Sequence, residues 1–97
     1  PVYPAQRAFM PVRMRVNREV ESLERLLDVA PRSLAPGGRL AIISFQSTED
    51  RLVKQAFRHR SESPEFVELT RKPIAPDDEE IHANPRSRSA KLRVLAR

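Results

Sequence analysis

The stretch Ser44-Phe45-Gln46-Ser47-Thr48-Glu49-Asp50-Arg51 gathers hydroxyls, an amide, two carboxylates and a guanidinium. Such groups at a strand-to-helix corner, past the carboxyl end of a strand, can hold an anion or the polar edge of a base, aided by free backbone N–H groups. The same residues also suit plain helix capping. Ser47 and Asp50 have the spacing of a capping box, and Glu49 can interact with the helix dipole. Spacing alone leaves both readings open. A second cluster is Asn84-Pro85-Arg86-Ser87-Arg88-Ser89, followed by Lys91. Its guanidinium groups alternate with hydroxyls, all of which can contact phosphate or sugar. Its alternative is a basic loop whose arginines pair with the acidic block Asp77 to Glu80.

Other chemistries find little support. Without cysteine there is no disulfide, no thiolate metal site and no cysteine nucleophile, so a reducing compartment, the cytoplasm, is expected. His59 and His82 lack paired ligand spacing and read as surface residues, so no metal is expected. Ser44 and Ser47 lack the glycine elbow of a hydrolase nucleophile. Gly37 and Gly38 are the only glycines, which excludes a glycine-rich phosphate loop within these residues. The block Asp77 to Glu80 reads as a solvated acidic turn before it reads as a cation chelate. No apolar run approaches the roughly 20 residues that span a bilayer, so a soluble chain without a membrane partner is expected.

Charge supports a phosphate partner. The net charge of +5 comes from 18 basic and 13 acidic side chains, and only Lys54, Lys72 and Lys91 among the basic ones are lysine. The arginine fork can grip phosphate through two parallel hydrogen bonds and stack on bases. The cations are grouped: Arg51, Lys54, Arg58 and Arg60 form one acid-free run, and Arg86, Arg88, Lys91, Arg93 and Arg97 another.

The elements that must position these residues follow from periodicity. Phe9, Val12, Val16, Val20, Leu23, Leu27, Ala30 and Leu34 recur at three- and four-residue intervals. This predicts one amphipathic, core-facing helix that starts or kinks near Pro11 and ends near Ala30, because Pro31 removes a donor. Pro36-Gly37-Gly38 predicts a turn. The apolar run within Arg39 to Phe45 predicts a central parallel strand covered on both faces. A helix from the Ser47 corner to about Arg60, a short strand at Phe66 to Leu69 and a turn of helix capped by Asp77 follow. Lys91 to Ala96 closes the chain as a strand half exposed to solvent. The order helix, strand, helix, strand, strand is α/β, the closing half of an open sheet. With 97 residues beginning at Pro1, there is room for one modest core, and the chain is expected to be a fragment.

Three segments together resemble the RsmH (MraW) methyltransferase family: Pro4 to Phe9 with Val16 to Glu19, Pro36 to Lys54, and Asn84 to Arg93. The resemblance spans nearly the whole chain. It implies that residues 1–97 are the carboxyl-terminal part of a Rossmann-like domain, following a helical insertion, with the cofactor loop upstream. It further implies transfer of a methyl group from S-adenosylmethionine to the N4 amino group of a cytidine in small-subunit ribosomal RNA. Under it, Ser44, Gln46, Ser47 and Glu49 lie near the target base or cofactor edge, Asp50 caps, and Arg51, Arg86, Arg88 and Lys91 contact RNA. Gln46 and Thr48 depart from the family's usual histidine and leucine, and Pro11 from a helix-compatible residue. Gln46 retains hydrogen bonding but cannot titrate near neutral pH. The alternative is a non-catalytic basic module that binds RNA or the ribosome.

Overall fold

The turn at Pro36-Gly37-Gly38 ties the two ends of the sheet's chain together. Gly37 stands at φ +85°, where an L side chain is strained, and a Cβ on Gly38 would lie 2.9 Å from the Ala35 carbonyl oxygen. The Gly37 N–H donates to the Arg97 carbonyl at 2.7 Å, and the Arg97 N–H donates to the Gly38 carbonyl at 2.9 Å. The strand that follows the turn is thereby locked to the last strand of the chain.

The computed structural model describes residues 16–97, with side chains from Val20 onward. Helix α1 is Val16–Ser33, strand β1 Arg39–Ser44, helix α2 Ser47–Arg60 and strand β2 Val67–Glu68. Helix α3, Asp78–Ala83, and a 3₁₀ turn, Pro85–Ser89, precede strand β3, Lys91–Ala96. The expected helix start near Pro11, with Phe9 and Val12, lies outside the described residues.

The expected end of that helix at Ala30 is corrected: α1 continues through Pro31 to Ser33. Proline costs the donor to the Leu27 carbonyl, while side chains add bonds to the next two carbonyls of this turn. Ser33 Oγ donates to the Val29 carbonyl at 3.1 Å, while Arg32 Nε at 3.1 Å and Arg60 Nη2 at 2.6 Å donate to that of Asp28. The Pro31 ring itself is fully buried. Leu23 and Leu27 enter the core, as a core-facing stripe requires.

The sheet order is β1-β3-β2, antiparallel throughout. This corrects the expectation of a central parallel strand: among the described residues β1 pairs only with β3, and helices cover one of its faces. Directly opposed residues of an antiparallel pair share a face. Leu40 with Leu95, Ile42 with Arg93 and Ser44 with Lys91 therefore point one way. Leu40, Ile42 and Leu95 form the core with Leu23, Leu27, Val53, Phe57 and Phe66. The continuous apolar run of β1 arises because its other face is apolar as well, with Ile43 and Phe45 exposed.

Beyond β2 the far edge of β3 is satisfied irregularly. Thr70 Oγ1 accepts the Val94 N–H at 3.0 Å, the Leu69 N–H donates to the Val94 carbonyl at 2.9 Å, and Ile74 and Leu92 exchange backbone bonds. A buried hydroxyl here does the work of a strand carbonyl. Arg97 is equally structural: it donates to the carbonyls of Arg32 and Leu34 and to Glu65, and its guanidinium lies over the Phe66 ring.

Candidate nucleic-acid interface

The register of β1 on β3 puts Ser44 opposite Lys91. The polar corner leaving β1 and the basic segment entering β3 consequently lie at one end of the sheet, although more than forty residues of chain separate them. At that end the chain passes from the 3₁₀ turn, which carries Arg86 and Arg88, through Ala90 into Lys91.

The corner differs from a capping box built on Ser47 and Asp50. Gln46 is the N-cap of α2, in extended conformation at φ −130° and ψ 147°, and its side chain makes no cap bond. Ser47 is the first helical residue. Glu49 reaches back instead, its Oε1 accepting the Phe45 N–H at 3.4 Å. A carboxylate in the first turn also complements the positive end of the helix. The expected capping role of Asp50 is overturned: its carboxylate turns inward to Arg93, with Nε to Oδ1 at 2.7 Å and Nη2 to Oδ2 at 3.1 Å. A charge-assisted two-pronged bond outcompetes a single neutral N–H for that carboxylate.

Of the four corner candidates, Ser44 and Glu49 are buried, whereas Gln46 and Ser47 are exposed. Ser44 and Glu49 border a small cleft with Leu23, Leu26, Ile43 and Val53 that has space for about one water molecule. The outward chemistry of the corner is the Gln46 amide and the hydroxyls of Ser47 and Thr48. Behind them Glu49 ties the Phe45 backbone and Asp50 anchors the helix to Arg93.

The basic residues divide in the same way. Arg58 faces Glu68 at 3.7 Å, Arg60 bonds Asp28, Arg93 bonds Asp50 and Arg97 bonds Glu65, so these four serve the fold. Arg51, Arg86 and Arg88 are exposed, Lys91 is half-buried, and none of the four forms an ion pair among the described residues. The acidic block does not neutralise Arg86 and Arg88. Asp77 caps α3, with Oδ1 accepting the Glu80 N–H at 2.8 Å. One expectation for the 84–89 segment is corrected: Ser87 is buried and its Oγ donates to the Asn84 carbonyl at 2.7 Å, so its hydroxyl shapes the turn and does not contact a ligand.

Arg93 and Asp50 are the residues that sequence reasoning assigned differently. The lone basic residue inside the apolar stretch 92–96 was the available signal, but its partner lies 43 positions away. Among the described residues no cluster of histidine and acidic side chains could hold a metal ion, and no helix is long and apolar enough to cross a membrane. The glycines occupy the turn before β1, at the far end of the strand from the corner.

Comparison with known proteins bears on the chemistry. The family model described as MraW methylase family matches residues 1–97. The chain is 57% identical over 96 residues to a "Ribosomal RNA small subunit methyltransferase H" of Synechococcus sp. (strain JA-2-3B'a(2-13)), covering 99% of this chain and 29% of that protein. A protein of the same name from Rhodopirellula baltica is 55% identical over 96 residues, again covering 99% and 29%. One from Nostoc sp. (strain PCC 7120) is 55% identical over 93 residues, covering 96% and 30%. The chain thus spans under a third of the length of these relatives.

Proposed function

Because the chain belongs to the MraW methylase family, we propose that it is the carboxyl-terminal part of a cytoplasmic enzyme that methylates small-subunit ribosomal RNA, with this piece contributing the RNA-facing end of the sheet. One observation carries the reading of the site. The register of Ser44 on Lys91 joins a polar corner to cations without carboxylate partners among the described residues, and paired phosphates and a base edge are what such a surface suits. S-adenosylmethionine is the methyl donor of the proposed reaction. Its binding residues lie mainly upstream of this chain, as the family resemblance implies.

What this chain does is hold the acceptor. Transfer to the N4 amino group of cytidine requires the nitrogen lone pair to be aimed along the line of attack more than it requires a strong base. Gln46 and Ser47, exposed on the corner, accept the amino hydrogens or meet the neighbouring base edge. Ser44 and Glu49 act from beneath, Glu49 by tying the Phe45 backbone. Arg51, Arg86, Arg88 and Lys91 bind the RNA phosphates. A base must leave its stack to reach such a corner, which is cheapest in a single-stranded segment.

The test is a chimera in which these 97 residues replace the matching segment of the Synechococcus relative. The reading predicts methyl transfer from labelled S-adenosylmethionine to small-subunit ribosomal RNA, with the label recovered as N4-methylcytidine on nucleoside analysis. RNA binding without transfer would return the chain to a non-catalytic module, and label on another nucleoside would overturn the assigned specificity.

A further inference from the structure

Among the described aromatic residues, Phe45 is the one that neither the core nor the reading above absorbs. Among the described residues, Phe57 is sealed in the core and Phe66 is buried, whereas Phe45 leaves 51% of its surface exposed. Its backbone is nevertheless held in place. Glu49 takes its N–H, and the next residue, Asp50, anchors the same helical turn to β3 through Arg93. An apolar ring is therefore presented on a fixed backbone at the end of the sheet where the turn carrying Arg86 and Arg88 leads into β3. Strand alternation places it on the face opposite Ser44, beyond exposed Ile43.

An exposed ring at the same end of the sheet as the unneutralised Arg86 and Arg88 matches a ligand with a flat apolar face and anionic links. Unpaired nucleotides have that chemistry, whereas a base inside a duplex already has both faces stacked. We propose that Phe45 is the stacking platform for an unpaired RNA base next to the modified position, with Arg86 and Arg88 taking the adjoining phosphates. This rests on the RNA reading of the same surface and adds a residue and a strandedness to it.

The experiment uses the chimera and a single-stranded RNA oligonucleotide from the substrate region carrying 2-aminopurine, compared with the same oligonucleotide fully paired. Binding is measured across a salt series for Phe45→Ala, Phe45→Tyr and the double variant Arg86→Gln with Arg88→Gln. Loss of a stacking platform predicts about 5- to 150-fold weaker single-strand binding for Phe45→Ala at every salt concentration, with an unchanged salt slope and lost 2-aminopurine quenching. Phe45→Tyr retains both affinity and quenching. Phe45→Ala binding as well as the parent, while the arginine variant shows a shallower slope, overturns the platform and leaves the RNA reading standing. If neither variant changes binding, both fail. A lowered melting temperature for Phe45→Ala with unchanged affinity shows the ring to be covered by protein, which also overturns the proposal.

Discussion

Arg93 on the middle strand grips Asp50 in the first turn of α2 through two hydrogen bonds, 2.7 and 3.1 Å long, with both side chains almost wholly removed from water. Arg93 lies opposite Ile42 in the sheet, two pairs inward from Ser44 and Lys91 and on the same face. The pair thus clamps the helix that starts at the polar corner onto the strand that follows the basic segment. The two halves of the proposed interface are rigidly connected by it.

Breaking one side of this pair leaves a buried charge without its partner. Asp50→Ala or Arg93→Ala should each cost about 3–5 kcal/mol in denaturant unfolding of the chimera. Asp50→Leu combined with Arg93→Met should recover much of that loss, because an apolar pair of similar volume removes the desolvation cost as well. Additive losses in the double variant would show that the two residues are not coupled.

Phe57 has no exposed surface and Leu95 none either. Phe57→Ala should cost about 3–5 kcal/mol and Leu95→Ala about 2–5 kcal/mol through lost burial and the cavity left behind. Equilibrium unfolding checks both, and a loss below about 1 kcal/mol at either position would contradict the core described above.

The turn before β1 offers a backbone test. Gly37→Ala should cost about 1 kcal/mol because of its positive φ, with no steric conflict from the added methyl. Gly38→Ala brings its Cβ to 2.9 Å from a backbone oxygen and should cost more, since that oxygen cannot rotate away. Melting temperatures of the two variants give the order directly.

Much of the fold is legible in residues that interact locally. The strand Lys91 to Ala96 and the cap of α3 by Asp77 are found where expected, the latter because donor and acceptor stand three residues apart. Long-range pairing is not legible in this way. Alternation along β3 marks Arg93 as a solvated residue, and only the position of Asp50, 43 residues earlier, makes it an interior one. Composition likewise counts every arginine as a candidate phosphate ligand. It takes Glu65, Asp28 and Asp50 at their folded positions to withdraw Arg97, Arg60 and Arg93 from that group. Ser44 turns inward because it shares the core face of β1 with Leu40 and Ile42, whereas Gln46 and Ser47 emerge exposed at a helix start that lies one residue earlier than a Ser47 cap would set it.

The most direct measurement is the salt dependence of single-stranded RNA binding by the chimera, with Arg51→Gln, Arg86→Gln and Arg88→Gln made singly and together. Each phosphate contact removed should lower the slope of log K against log salt concentration by about 0.7, so the triple variant should lose about 2. Parallel lines for the parent and the triple variant would contradict the assignment of this end of the sheet to RNA.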